Sequence, residues 1–131
     1  MKYFIILFLL LSTLHSANLN WEHNYYQALY DAKVQDKDVY LFIGADKCRW
    51  CDKFKNETLS NKDVIEKLKE KFVLLYMSRD QHKIPNKFKL RGVPWQYFLD
   101  YKGNIIYKAQ GGREIDGFYD LLEEVDLVKD D

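Results

Sequence analysis

Five apolar residues in unbroken succession, Val39-Tyr40-Leu41-Phe42-Ile43, constrain this chain more than any other feature. A strand with one wet face alternates apolar and polar residues. This run offers water nothing, so it reads as a central strand covered on both faces. A second run, Phe72-Val73-Leu74-Leu75-Tyr76-Met77, follows after a stretch of helical patterning, and a crossover helix between the two makes them parallel. Directly after the first run come Gly44 and Ala45, then Cys48 and Cys51, the chain's two cysteines. Residues from Cys48 onward read as a helix start, so Cys48 is expected where a strand ends and a helix begins. The N-terminus of a helix carries partial positive charge and unpaired N–H groups, which favour a thiolate over a thiol. The thiolate is the species that attacks a disulfide.

Two cysteines three apart are a redox pair, half of a metal site or a small staple. As a staple the pair closes a loop so short that it constrains the unfolded chain by only about 2 kcal/mol. A zinc site needs further ligands, and His23 and His82 stand in no recognisable ligand spacing, so no metal site is expected. Covalent haem attachment requires His after the second cysteine, where this chain has Asp52.

The remaining elements follow from periodicity and punctuation. Trp21, Tyr25, Ala28, Leu29 and Ala32 fall at helical spacing and predict a first amphipathic helix, ending before the turn Gln35-Asp36-Lys37-Asp38. The helix that opens at Cys48 is expected to run to about Glu57. Ser60-Asn61-Lys62-Asp63 reads as the cap of another helix, with Val64, Ile65, Leu68 and Phe72 on its apolar side. A polar segment interrupted by Pro85 leads to a strand over residues 95–99. Turn residues Asp100-Tyr101-Lys102-Gly103-Asn104 join it to a partner over residues 105–109, which predicts a hairpin. Gly111-Gly112 breaks the chain, and Phe118, Leu121, Leu122 and Val125 place a last helix on the sheet. The order predicts an α/β fold with a mixed sheet covered on both faces.

Cys48-Arg49-Trp50-Cys51 at a strand-to-helix junction, with Gly92-Val93-Pro94 further on, resembles the active site of the thioredoxin superfamily. The resemblance covers residues 21–128 and is nearest to exported thioredoxin-like proteins, in which a helix precedes the first strand. It implies a central mixed four-stranded sheet with helices on both faces and an extra N-terminal helix, in a domain over residues 18–131. It also implies that Cys48 is the attacking thiolate and Cys51 the resolving thiol, their redox-active disulfide serving in place of any added cofactor. Pro94 is expected to be cis, with the backbone of Val93 pairing an extended substrate peptide, and Arg49, Trp50 and Trp95 complete the expected contact surface. The chain departs from the family pattern at three places. Lys47 stands where many members have Trp before the first cysteine, and Trp95 where many have Thr after the proline. Phe42 stands where cytosolic thioredoxins carry a buried acid that helps to deprotonate the second cysteine.

At the N-terminus Met1-Lys2 is followed by a charge-free apolar run over residues 3–11 and then by Ser12, Thr13, Ser16 and Ala17. These are the parts of a secretory signal peptide, expected over residues 1–17, which places the protein in the periplasm or outside the cell. There disulfides persist and a cysteine pair carries redox meaning. Hydrophobic residues at 47% make the remainder a globular chain, and a formal net charge of zero makes nucleic acid or an anionic membrane a poor main partner. Beneath that zero, residues 79–91 hold five basic residues against Asp80, and residues 114–131 hold eight acids against Lys129. The basic segment leads into Val93-Pro94 and would give the site's rim a positive field. The expected partners are protein thiols and disulfides and a membrane thiol carrier that supplies electrons, with the chain a monomer. Reduction is the expected direction, because the superfamily's strong oxidants carry Pro-His between their cysteines. The alternatives are a disulfide-donating oxidase of the same fold and a non-catalytic module that holds peptides on Trp50 and Trp95.

Overall fold

The computed structural model describes residues 21–88 and 91–131. The expected signal peptide and Lys89 of the basic segment lie outside them. Nine elements follow in order: β1 (Trp21–Glu22), α1 (Tyr25–Gln35), β2 (Asp38–Gly44), α2 (Arg49–Glu57), α3 (Lys62–Lys71), β3 (Phe72–Ser78), β4 (Trp95–Leu99), β5 (Ile105–Gln110) and α4 (Ile115–Asp130). The strands form one mixed sheet in the order β1-β3-β2-β4-β5. β2 and β3 run parallel, with Val39 opposite Val73 and Leu41 opposite Leu75. β4 is antiparallel to β2, and β5 antiparallel to β4.

The four expected strands are all present, with β1 added at one edge, parallel to β3. That addition corrects the reading of Trp21 as part of the first helix. Asn24 has extended backbone angles and its side chain accepts the N–H of Gln27 at 2.9 Å, so the helix starts at Tyr25 and leaves Trp21 in a strand. Asn61 caps α3 in the same way, accepting from Asp63 and Val64. Phe72 is extended at the end of α3 and opens β3, so it belongs to the sheet and not to the helix.

Strand alternation sorts the core into two layers. Val39, Leu41 and Ile43 of β2 meet Ala28 and Ala32 of α1 on one face, with Leu75, Tyr97 and Leu99. Tyr40 and Phe42 meet Phe54 of α2, Leu68 of α3 and Phe118 of α4 on the other. Both layers bury their residues almost fully, which is why β2 is apolar from Val39 to Ile43.

The hairpin turn is held by Asp100, whose carboxylate accepts the backbone N–H groups of Lys102 and Asn104 at 2.9 Å and the Asn104 side-chain amide. No helix among the described residues is long and apolar enough to cross a membrane.

Candidate active site

Ile43 lies opposite Trp95 across β2 and β4, so the residues leaving β2 and those entering β4 emerge at the same end of the sheet. Cys48, after β2, and Pro94, before β4, are both carried at that end. Cys48 is the N-cap of α2, and its Sγ accepts the backbone N–H of Cys51 at 3.1 Å. The two cysteines are joined in a disulfide with their Cα atoms 5.2 Å apart. Cys48 is half-buried at the surface, whereas Cys51 is fully buried against the larger core layer. One sulfur is therefore open to a partner and the other is not.

The proline wall of the site is tied together by backbone and by one side chain. The Val93–Pro94 peptide bond is cis. The carbonyl of Pro94 accepts the N–H of Gly111 at 2.8 Å. Gln96, with no exposed surface, accepts the Tyr40 hydroxyl at 2.7 Å and donates to the carbonyl of Gly111 at 2.8 Å. Burial pushes the Tyr40 phenol well above its ordinary 10.0, with the Arg113 guanidinium pulling the other way, so it stays a neutral donor. The next residue, Gly112, packs so closely on α2 that a Cβ there would sit 2.8 Å from Cβ of Phe54. Gln96 and the glycine pair thus hold the β5-to-α4 loop against both Pro94 and α2. Sequence reasoning read the glycines only as a chain break and missed Gln96. The signal was a lone amide inside the apolar stretch Trp95–Leu99.

Between that loop and α2 lies a cavity of about 350 Å³ lined by Trp50, Lys53, Phe54, Val93, Pro94 and Gly112, among others. Trp50 is 61% exposed and carries Arg49 and Lys53 over its ring at 5.7 and 5.6 Å. Trp95 lies elsewhere. It stacks on Tyr97, donates its indole N–H to the Arg91 carbonyl and packs with the α1 layer. The structure therefore brings Cys48, Cys51, Trp50, Val93 and Pro94 to one end, with Arg49 above Trp50, and turns Trp95 to the opposite face of the sheet.

The charges at the rim are largely committed. Asp46 accepts from Ser78 and Gln81, and its backbone N–H donates to Asp80. Lys87 of the basic segment donates to the Gly103 carbonyl of the hairpin turn. Arg79 and Arg91 stay exposed. Among the described residues no group of three or more His, Cys, Asp or Glu is placed to hold a metal ion.

Comparison with known proteins gives concordant results. A family model described as a thioredoxin-like domain matches residues 25–126. Human anterior gradient protein 2 homolog is 35% identical over 71 residues, which is 52% of this chain and 40% of that protein. The chain spans less than half the length of the curated relatives it matches. A thioredoxin from Thermus thermophilus superposes with a TM-score of 0.69 at 24% identity, covering 82% of this chain and 86% of that one. A DsbH oxidoreductase does so with a TM-score of 0.66 at 21% identity, covering 84% and 85%. At such identities the two structures speak for the fold.

Proposed function

This chain belongs to the thioredoxin-like domain family, and we propose that it is an exported thiol–disulfide oxidoreductase that reduces protein disulfides through Cys48. The carrying observation is the asymmetry of the pair, with Cys48 open at the helix N-terminus and Cys51 sealed beneath it. In the reduced protein the Cys48 thiolate would accept the N–H that its sulfur accepts now, and the α2 N-terminus would hold its pKa below the free value of about 8.5.

The thiolate attacks one sulfur of a partner disulfide, forming a mixed disulfide and releasing the partner's other sulfur as a thiolate. Cys51, deprotonated, then attacks the Cys48 sulfur. The Cys48–Cys51 disulfide forms, the second partner thiolate leaves, and two electrons have passed from this chain to its partner. The partner's chain is held in the cavity between Trp50 and Pro94, with the backbone of Val93 pairing with it. Arg49 flanks Trp50 at this contact, and Trp95 acts only by supporting the loop through Arg91. The signal peptide expected over residues 1–17 supports a site of action in the periplasm or outside the cell, where a membrane thiol carrier would return the pair to its reduced form. The reducing direction rests on Arg49-Trp50 in place of the Pro-His of strong oxidants, and the protein works as a monomer.

The deciding experiment is the equilibrium potential of the cysteine pair in glutathione or dithiothreitol buffers, together with catalysis of insulin reduction. A potential near about −270 mV with insulin turnover fits a reductase, and one near about −120 mV assigns disulfide donation instead. Absence of any turnover, with aggregation of unfolded chains still suppressed in Cys48→Ser, would favour a peptide-holding module built on exposed Trp50.

A further inference from the structure

Resolution of the mixed disulfide requires Cys51 to lose its proton, and Cys51 is fully buried. A cavity of about 400 Å³ lined by Trp21, His23, Phe42, Lys55 and Tyr76 among others has no carboxylate in its lining. Two other polar groups meet there. The Lys55 ammonium, one helical turn beyond Cys51 on α2, donates to the Tyr76 hydroxyl at 2.9 Å and lies 4.1 Å from the centre of its ring. Gly44 is what brings that hydroxyl toward the sulfur. The point its Cβ would occupy is 3.1 Å from the Tyr76 hydroxyl and 3.5 Å from Sγ of Cys51, so no side chain separates them.

We propose that Tyr76 and Lys55 form a donor pair that stabilises the Cys51 thiolate during resolution. An ammonium has no lone pair, so the phenol cannot return a hydrogen bond to Lys55, and its proton is available to the sulfur across the gap at Gly44. A donor aimed at the charged form of an acid lowers its pKa, and the half-buried cation behind the phenol adds to this. The thiol proton passes to water, the electron pair left on Cys51 attacks the Cys48 sulfur, and the bond from Cys48 to the partner breaks as the partner's thiolate leaves. Tyr76 and Lys55 would thus supply what a buried acid supplies elsewhere.

Other titratable groups stand on α2 and in the loops after β1, β2 and β3. Asp52 lies on α2 and is exposed. His23, after β1, meets the Tyr76 ring edge-on at 6.0 Å, gives its Nδ1 to the Tyr76 carbonyl and stacks on His82 of the loop after β3. Asp46, after β2, is bound by Ser78 and Gln81.

This inference rests on the proposed redox function, and one experiment separates the two. The reduced chain is mixed with 5,5′-dithiobis(2-nitrobenzoate) in a stopped-flow instrument. The first thionitrobenzoate released reports attack by Cys48 and the second reports resolution by Cys51. Tyr76→Phe and Lys55→Met should leave the first release unchanged and slow the second about tenfold at pH 7, with the loss recovered about one pH unit higher. Lys55→Arg should restore the rate, and the ¹³Cβ titration of Cys51 should move upward by the same interval in the slow variants. An unchanged second release and an unchanged titration in Lys55→Met overturn the donor pair, and that variant with Lys55→Arg decides the matter should Tyr76→Phe not fold. No release from the parent chain at any pH overturns the redox reading itself.

Discussion

Gln96 binds the carbonyl of Gly111 from a position with no exposed surface, joining the strand after the cis proline to the loop that lines the cavity beside Trp50. The same side chain takes the Tyr40 hydroxyl from the central strand. A single amide therefore ties three segments around the site.

Gln96→Leu should lower stability by about 1–3 kcal/mol, because it strands the buried hydroxyl of Tyr40 as well as the loop carbonyl. Pairing it with Tyr40→Phe removes the stranded hydroxyl, so the double variant should be more stable than Gln96→Leu alone. Urea midpoints measure both, and a Gln96→Leu midpoint equal to the parent's would remove the amide from any structural role.

Glycine substitutions distinguish packing from conformation. Gly112→Ala drives a methyl into Phe54 and should cost about 1–3 kcal/mol while also reshaping the cavity beside Trp50. Gly92→Ala meets nothing within 4 Å, but its φ of +71° should cost roughly 1–2 kcal/mol. Thermal midpoints test the first cost, and peptide affinity should fall in Gly112→Ala more than in Gly92→Ala.

Cysteine variants should behave asymmetrically. Cys51→Ser should accumulate a mixed disulfide with a partner, detectable by mass spectrometry, while Cys48→Ser should form none, because its remaining sulfur is sealed. Equal trapping by both variants would contradict the assignment of Cys48 as the attacking group.

Acid should weaken the hairpin. Partial burial works against ionisation of Asp100, but hydrogen bonds from Asn104 and the Lys102 backbone, with the Lys102 charge, outweigh it and hold the carboxyl below its ordinary 3.8. A carboxyl lowered in the folded state adds stability above 3.8 that is lost as pH falls through the folded value. Asp100→Asn should therefore flatten the acid limb of the stability profile below about pH 4, as followed by circular dichroism.

Most of the fold was legible because its signals are local. The unbroken run in β2, the polar turn at Asp100 and the cap at Asn61 each state their structure within a few residues. The site's placement was legible too, since the cysteines and the Val93-Pro94 pair carry sequence marks. What stayed hidden depends on which side of the sheet a residue faces or on what meets it across space. Trp95 neighbours Pro94 in sequence, yet alternation sends it to the other face. Trp21 sits at helical spacing from Tyr25, yet Asn24 breaks the helix between them. Lys55 and Tyr76 are twenty-one positions apart, and nothing in either neighbourhood announces their meeting.

The smallest strand has a consequence for association. Among the described residues β1 pairs with Leu74 and Leu75, and the His23 imidazole then takes the carbonyl of Tyr76, so the outer margin of β3 is interrupted midway along its length. A foreign strand seeking to extend the sheet there finds no long row of free amides and carbonyls. The sheet is in this way guarded at that margin against strand addition by another chain.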